Sequence, residues 1–139
     1  MKDLKIAKET LIGGLFTLAY SKDGQVFTEK ERGVKPLIKL YESKKDYSLF
    51  SFADKVVGKG AGFLYLLLNV KKIHALVISK PAYTLLKNNG VTVFYDEIVD
   101  NIINRNGDGI CPIEKSVLNE NDKFIAYEKI KQKLKTLSK

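Results

Sequence analysis

One strand–helix–strand pattern in the middle of the chain constrains the fold more than any other feature. Ile73 to Ile78 is a mostly apolar run that predicts a strand, and Val91 to Tyr95 predicts another. Between them, Ser79 is a good helix N-cap, Pro81 suits the first helical turn, and Asn89-Gly90 suits a left-handed C-cap. We therefore expect a βαβ unit, with parallel strands joined by a right-handed crossover.

The remaining pattern adds elements on both sides of this unit. The spacing predicts a leading helix over 2–13, a hairpin with arms at 15–20 and 25–28, a helix over 34–41, a strand over 47–54 and an apolar helix from 58 to 68. After the second parallel strand we expect a short helix before Asn104, a polar loop, a helix over 112–118 and a last helix from Asp122. This order predicts an α/β fold with a mixed sheet and helices on both faces.

Composition limits the broad class of the protein. With 139 residues, 45% of them hydrophobic, the chain suits one globular domain, which we place at residues 1–139. The single cysteine, the lack of a membrane-spanning apolar run and the polar N-terminus favour a cytoplasmic protein with no membrane partner. The net charge is +8. No basic run is interleaved with aromatic residues, so nucleic acid is not expected as a partner.

The glycine-rich segment at 57–62 supports two interpretations. Small residues at a helix start let backbone N–H groups approach an anion, and Lys59 adds a positive charge there. Alternatively, Gly58 and Gly60 simply allow a helix to pack closely on the sheet. The segment matches neither a P-loop, because Gly60 follows the lysine, nor a dinucleotide fingerprint, because Phe63 stands where its third glycine belongs.

The polar loop from Asn104 to Lys115 holds the other candidate groups. Its first half resembles a calcium loop, but Lys115 occupies the position that requires a bidentate glutamate. Cys111 precedes a predicted helix start, which favours a thiolate, although the only histidine, His74, lies in a predicted strand. Arg105 suits a carboxylate or phosphate ligand. Equally, it suits a role in pinning the loop through a carboxylate such as Glu114 or Asp108.

Four blocks of the sequence together resemble a known family. They are Arg32–Leu37, Asp54–Ala61, Ile78–Ala82 and the segment from Ile103 through Lys115. On these blocks the chain resembles, over essentially its whole length, a small bacterial and archaeal family of unknown function placed within the cytidine deaminase-like superfamily. The resemblance implies a three-layer α/β/α sandwich with a five-stranded mixed sheet.

The resemblance also implies a metal-free cleft. True deaminases begin one helix with His-Ala-Glu and the next with Pro-Cys-x-x-Cys. Here the first start reads Gly-Lys-Gly-Ala-Gly, while Ala82 and Leu85 stand where the thiolates should be. We expect no metal, no cofactor and no zinc-dependent deamination.

In such a fold the helix starts at Gly58–Gly62 and Ser79–Ala82 converge on a cleft, with the 104–115 loop as its lid or wall. We therefore predict an uncharacterised protein that binds a small anionic, nucleotide-like ligand there. The predicted ligand-binding residues are Gly58, Lys59, Gly60, Ser79, Asn104 and Arg105. The alternatives are a cysteine-dependent enzyme that uses Cys111 and a protein-interaction or homo-oligomerisation module.

Overall fold

The structure is a computed structural model that describes residues 2–137. This part of the chain forms six helices and five strands. In order they are α1 (Lys2–Gly13), β1 (Leu18–Lys22), β2 (Gln25–Glu29), α2 (Lys35–Glu42), β3 (Ser51–Val57), α3 (Lys59–Leu67), β4 (Lys72–Ser79), α4 (Lys80–Asn88), β5 (Thr92–Val99), α5 (Pro112–Ser116) and α6 (Lys123–Leu137).

The strands form one mixed sheet in the order β2-β1-β3-β4-β5. β1 pairs antiparallel with both β2 and β3, whereas β3–β4 and β4–β5 are parallel. The predicted βαβ unit is therefore confirmed, with Ile73 opposite Val93 and Ile78 opposite Ile98. Its helix begins as expected, because the Ser79 hydroxyl caps α4 by accepting from the Ala82 N–H at 3.3 Å.

Helices cover both faces of this sheet. On one face α1 buries Ala7 and Leu11 against Ala19 and Ala53. The other face carries the larger core, which joins the sheet to α2, α3, α4 and α6. α3 lies at its centre, and most of its residues are buried, as its apolar sequence predicts. The fold is thus α/β with a five-stranded mixed sheet.

Three predicted boundaries are wrong. β1 begins at Leu18 rather than at 15, and Leu15 is 89% exposed. Residues 47–50 form a turn, with Phe50 N donating to the Tyr47 carbonyl, so β3 covers 51–57 rather than 47–54. Within residues 2–137, the short helix expected just before Asn104 is absent. Instead β5 continues to Val99, because it stays paired with β4, and an irregular loop follows.

Candidate functional site

The first backbone N–H groups of α3 have no acceptors within the helix, so they need acceptors from elsewhere in the protein. Gly58, its N-cap, has extended backbone angles and no side chain to accept from the first turn. The following residues are almost completely buried, so water cannot supply the acceptor. The Lys59 N–H donates to Oε1 of Glu114 at 3.0 Å. A carboxylate from 55 residues further along the chain therefore occupies the anion position at this helix start.

Glu114 is held by donors from three separate segments. Its side chain is 1% exposed. Besides the Lys59 N–H, Oε1 accepts from the Ser79 hydroxyl, and Oε2 accepts from the Ile102 N–H at 2.5 Å. We call this arrangement of Glu114, Lys59, Ser79 and Ile102 the Glu114 site. Charge-assisted hydrogen bonds of this kind are the strong ones, so the carboxylate ties α3, α4 and the loop after β5 together.

Ser79 serves two partners at once. Its hydroxyl oxygen accepts from the Ala82 N–H as the cap of α4, while its O–H donates to Glu114. The residue is 0% exposed, so neither bond competes with solvent. Ser79 therefore couples the start of α4 to the Glu114 carboxylate.

The Lys59 side chain has a structural role. Its ammonium donates to the Leu118 carbonyl at 2.7 Å and to the Glu120 carbonyl at 2.9 Å. Burial lowers the pKa of Lys59, while the negative charges of Glu120 and Glu114 oppose that shift. The ammonium thus satisfies carbonyl groups in the segment that follows α5 and helps hold that segment against α3.

The glycines make room for the segment that carries Glu114. A Cβ on Gly60 would stand 2.6 Å from Cγ2 of Ile113, and one on Gly58 would stand 3.2 Å from Cγ1 of Ile102. Both contacts are too short for an alanine without movement. The glycines therefore do allow close packing, but against the segment after β5 rather than against the sheet as expected. That packing brings the Glu114 carboxylate to the helix start.

The loop before α5 is organised by its own side chains. The Asn104 amide donates to Asp108 at 2.8 Å and its oxygen accepts from the Asp108 N–H, while Ile103 and Ile110 form an isolated β-bridge. Arg105 is exposed. Within residues 2–137 its side chain makes no hydrogen bond or ion pair, so the interpretation in which it pins the loop is wrong.

Cys111 is half-buried and contributes backbone bonds to the same region. Its N–H donates to the Ile102 carbonyl at 2.7 Å, and its carbonyl accepts from the Lys115 N–H at 2.9 Å. His74 lies elsewhere, on β4, where Nε2 is 2.8 Å from Asp96 of β5. Across residues 2–137, no group of three or more histidine, cysteine, aspartate or glutamate side chains is placed to hold a metal ion.

Sequence reasoning missed two polar features of the interior, one buried and one half-buried. The first is the role of Glu114, whose only local signal is its position between Ile113 and Val117 on the buried side of a short helix. The second is the pair formed by Asp54 and Tyr65, in which the tyrosine hydroxyl donates to the carboxyl group at 2.6 Å. Burial raises the pKa of Asp54 to about 7, and the hydrogen bond from Tyr65 opposes that shift.

Comparison with known proteins identifies relatives without describing an activity. The profile of the domain of unknown function DUF1893 (TM1506) matches residues 6–134. The crystal structure of a DUF1893 family protein (TM1506) from Thermotoga maritima is similar, with 31% identity and a TM-score of 0.81 over 97% of this chain and 90% of that one. No curated protein matches the sequence. None of the helices within residues 2–137 is long and apolar enough to cross a membrane.

Proposed function

The chain belongs to the DUF1893 family, a domain of unknown function, and from the geometry of the Glu114 site we propose that it binds a small anionic, nucleotide-like ligand there. One observation carries the proposal: the donors at this site already surround a carboxylate. An external carboxylate or phosphate presents the same acceptors. Glu114 is therefore the chain's own occupant of the position, and the ligand binds in exchange with it.

The position in the sheet supports this proposal. The Glu114 site lies at the carboxyl ends of the parallel strands β3 and β4, next to the starts of α3 and α4. Open α/β sheets bind ligands at this edge, and helix starts there direct backbone donors and positive potential toward an anion. The Lys59 ammonium bonds to carbonyl groups after α5, and its positive charge also acts on Glu114.

Exchange requires the segment that carries Glu114 to move away. The segment consists of the loop after β5 and the five residues of α5. Its exposed Arg105 supplies a guanidinium for the incoming anion, and Asn104 supplies an amide from the same loop. Breaking three hydrogen bonds to Glu114 reduces the observed affinity, because only the fraction of molecules with a free site binds ligand.

We extend the proposal to the scaffold, which we assign to the cytidine deaminase-like fold. The strand order β2-β1-β3-β4-β5 with its hairpin, and helices on both faces, supports that assignment. Ala82 and Leu85 at the start of α4 carry no group that binds zinc. The proposed function is therefore binding without deamination.

Titration of the wild-type chain and Glu114→Gln with nucleotides, carboxylates and phosphate esters tests the proposal. The glutamine keeps the shape of the side chain but competes less well for anion-binding donors. We expect saturable binding that is tighter in Glu114→Gln by about tenfold, which corresponds to about 1.4 kcal/mol. Arg105→Ala should weaken the binding, and Lys5→Ala, on the distant α1, serves as the control. If none of these anions binds either protein, the proposal is wrong.

The two alternative functions stay predictions. A cysteine-dependent enzyme requires that Cys111 react with an alkylating reagent faster than an ordinary thiol near neutral pH. An oligomerisation module requires a molecular mass in solution that is a multiple of the chain mass of 15.7 kDa. Reaction rate against pH and light scattering measure these properties.

A further inference from the structure

A polar groove lies at the opposite end of the sheet from the Glu114 site. It has a volume of about 360 Å³, which is within the range of small-molecule sites. We call it the asparagine groove, and the residues used below are Asn69, Lys71, Asn89, Asn121, Lys123 and Phe124. It lies where α3 and α4 end, beside the start of β4 and the start of α6. The Glu114 site, by contrast, lies where α3 and α4 begin.

Three side-chain amides converge on the groove. Asn69 follows α3 with a φ of 62°, a left-handed conformation that asparagine tolerates better than most residues. Throughout residues 2–137, no hydrogen-bond partner contacts the side chains of Asn69 and Asn121. Asn89 donates from Nδ2 to the Leu85 carbonyl at 2.8 Å, which leaves its oxygen as an acceptor. Amides offer both donors and acceptors, as the edge of a heterocyclic base requires.

The charge at the groove is positive. Lys71 is exposed and forms no ion pair with any residue from 2 to 137. Its positive charge, with that of Lys22, helps lower the pKa of Asp46, although hydrogen bonds from Ser48 are the larger cause. Lys123 is a second cation in the lining. Among the lining residues, all within 2–137, Asp122 is the one acidic side chain, and it is engaged as the cap of α6, accepting from the Phe124 N–H at 2.8 Å.

An exposed aromatic ring completes the lining. Phe124 is 60% exposed, and the Lys123 ammonium lies 5.5 Å from the centre of its ring. Most phenylalanine side chains are buried, whereas those that bind bases present a face to the ligand. Stacking of a base on such a ring contributes about 1–3 kcal/mol. Amides, cations and an exposed ring in one groove match the three parts of a nucleotide recognition site.

We propose that the asparagine groove binds a mononucleotide. The base stacks on Phe124, its polar edge bonds to the amides of Asn69 and Asn121, and its phosphate pairs with Lys71 and Lys123. The groove shares no side chain with the Glu114 site, so separate substitutions test the two sites.

Isothermal titration of the full chain with adenosine monophosphate, adenosine and inorganic phosphate tests this proposal. We expect the nucleotide to bind with 1:1 stoichiometry and more tightly than adenosine or phosphate alone. Phe124→Ser should weaken nucleotide binding by about tenfold, as the loss of one stacked base predicts. Lys71→Gln should weaken nucleotide binding and leave adenosine binding unchanged. Both substitutions are at exposed positions, so we expect the fold to be retained.

Two control variants and two outcomes make the experiment decisive. Lys5→Gln removes a lysine from α1, and Leu15→Ser removes a side chain that is 89% exposed, so neither should alter binding. Nucleotide binding that Glu114→Gln changes but Phe124→Ser does not would place the ligand at the other site and overturn this proposal. Single-stranded oligonucleotides that bind more tightly as they lengthen would also overturn it, because they would indicate a nucleic-acid surface.

Discussion

The pair of half-buried Asp54 and buried Tyr65 makes the stability of the protein depend on pH in a direction opposite to that of ordinary carboxylates. Burial raises the pKa of Asp54 to about 7 in the folded protein, against 3.8 for an aspartate side chain in the unfolded chain. Between these values the folded state holds a proton that the unfolded state has released. The free energy of unfolding therefore falls as the pH rises from about 4 to about 7 and changes little above that window.

The size of this effect follows from the two pKa values. A difference of about three units corresponds to about 4 kcal/mol at 1.36 kcal/mol per unit. Marginal stability is typically about 5–15 kcal/mol, so such a change is readily measured. Asp54→Asn replaces the acid with a neutral amide of the same shape, which still accepts the hydrogen bond from the Tyr65 hydroxyl. The variant should lose the pH dependence between about 4 and 7.

Urea unfolding at pH values from 4.5 to 8.5 measures the effect. The informative quantity is the difference in free energy of unfolding between wild type and Asp54→Asn at each pH. This difference removes the contribution of exposed carboxylates with lowered pKa, such as Asp96, which affect stability mainly at lower pH. Glu97→Gln, an exposed change on β5, is the control and should follow the wild type. If plots of unfolding free energy against pH run parallel for wild type and Asp54→Asn across this range, the pKa of Asp54 is not raised in the folded protein.

Two further predictions concern how the segment around α5 packs on α3. Gly60→Ala should destabilise the protein by about 1–3 kcal/mol in urea unfolding, because the added carbon meets Ile113 at 2.6 Å. Gly13→Ala, with nothing within 4 Å of the added carbon, should be nearly neutral, and equal effects would contradict the packing argument. Lys59→Met keeps the apolar stem but leaves two carbonyls without their charged donor, and should cost about 1.5–3 kcal/mol. Lys115→Met, at an exposed position, should cost little, and a similar loss in both variants would refute the role of the Lys59 ammonium.

The parts of the fold that were predictable from the sequence are those with strong local signals. The βαβ unit is the best case, because Ser79, Pro81 and Gly90 mark the two ends of α4 without help from distant residues. The boundaries of β3 and β5 were misplaced because strand length is decided by pairing. β5 runs to Val99 since β4 runs to Ser79 beside it, and nothing in the local sequence shows this.

The candidate site was predictable only in part. The glycines, Lys59 and Ser79 were predicted to surround an anion. The Lys59 N–H and the Ser79 hydroxyl donate to the chain's own Glu114, whereas the Lys59 ammonium bonds to carbonyl groups, and binding of an external anion stays a prediction. Asn104 and Arg105 belong to the neighbouring loop, but neither contacts the Glu114 carboxylate. The carboxylate itself was missed because its partners lie 12, 35 and 55 residues away in the sequence. Contacts of that range leave no periodicity or turn signal in one sequence.

Rescue of Glu114→Ala by formate tests the central claim most directly. Removing the side chain leaves the donors from Lys59, Ser79 and Ile102 buried without an acceptor and should cost about 3–5 kcal/mol. If this is an anion site, formate enters the space and restores part of the lost melting temperature in a saturable manner. The wild type should require at least about tenfold more formate, since Glu114 competes for the same donors. A Glu114→Ala protein that responds to formate no more than the wild type would contradict the account.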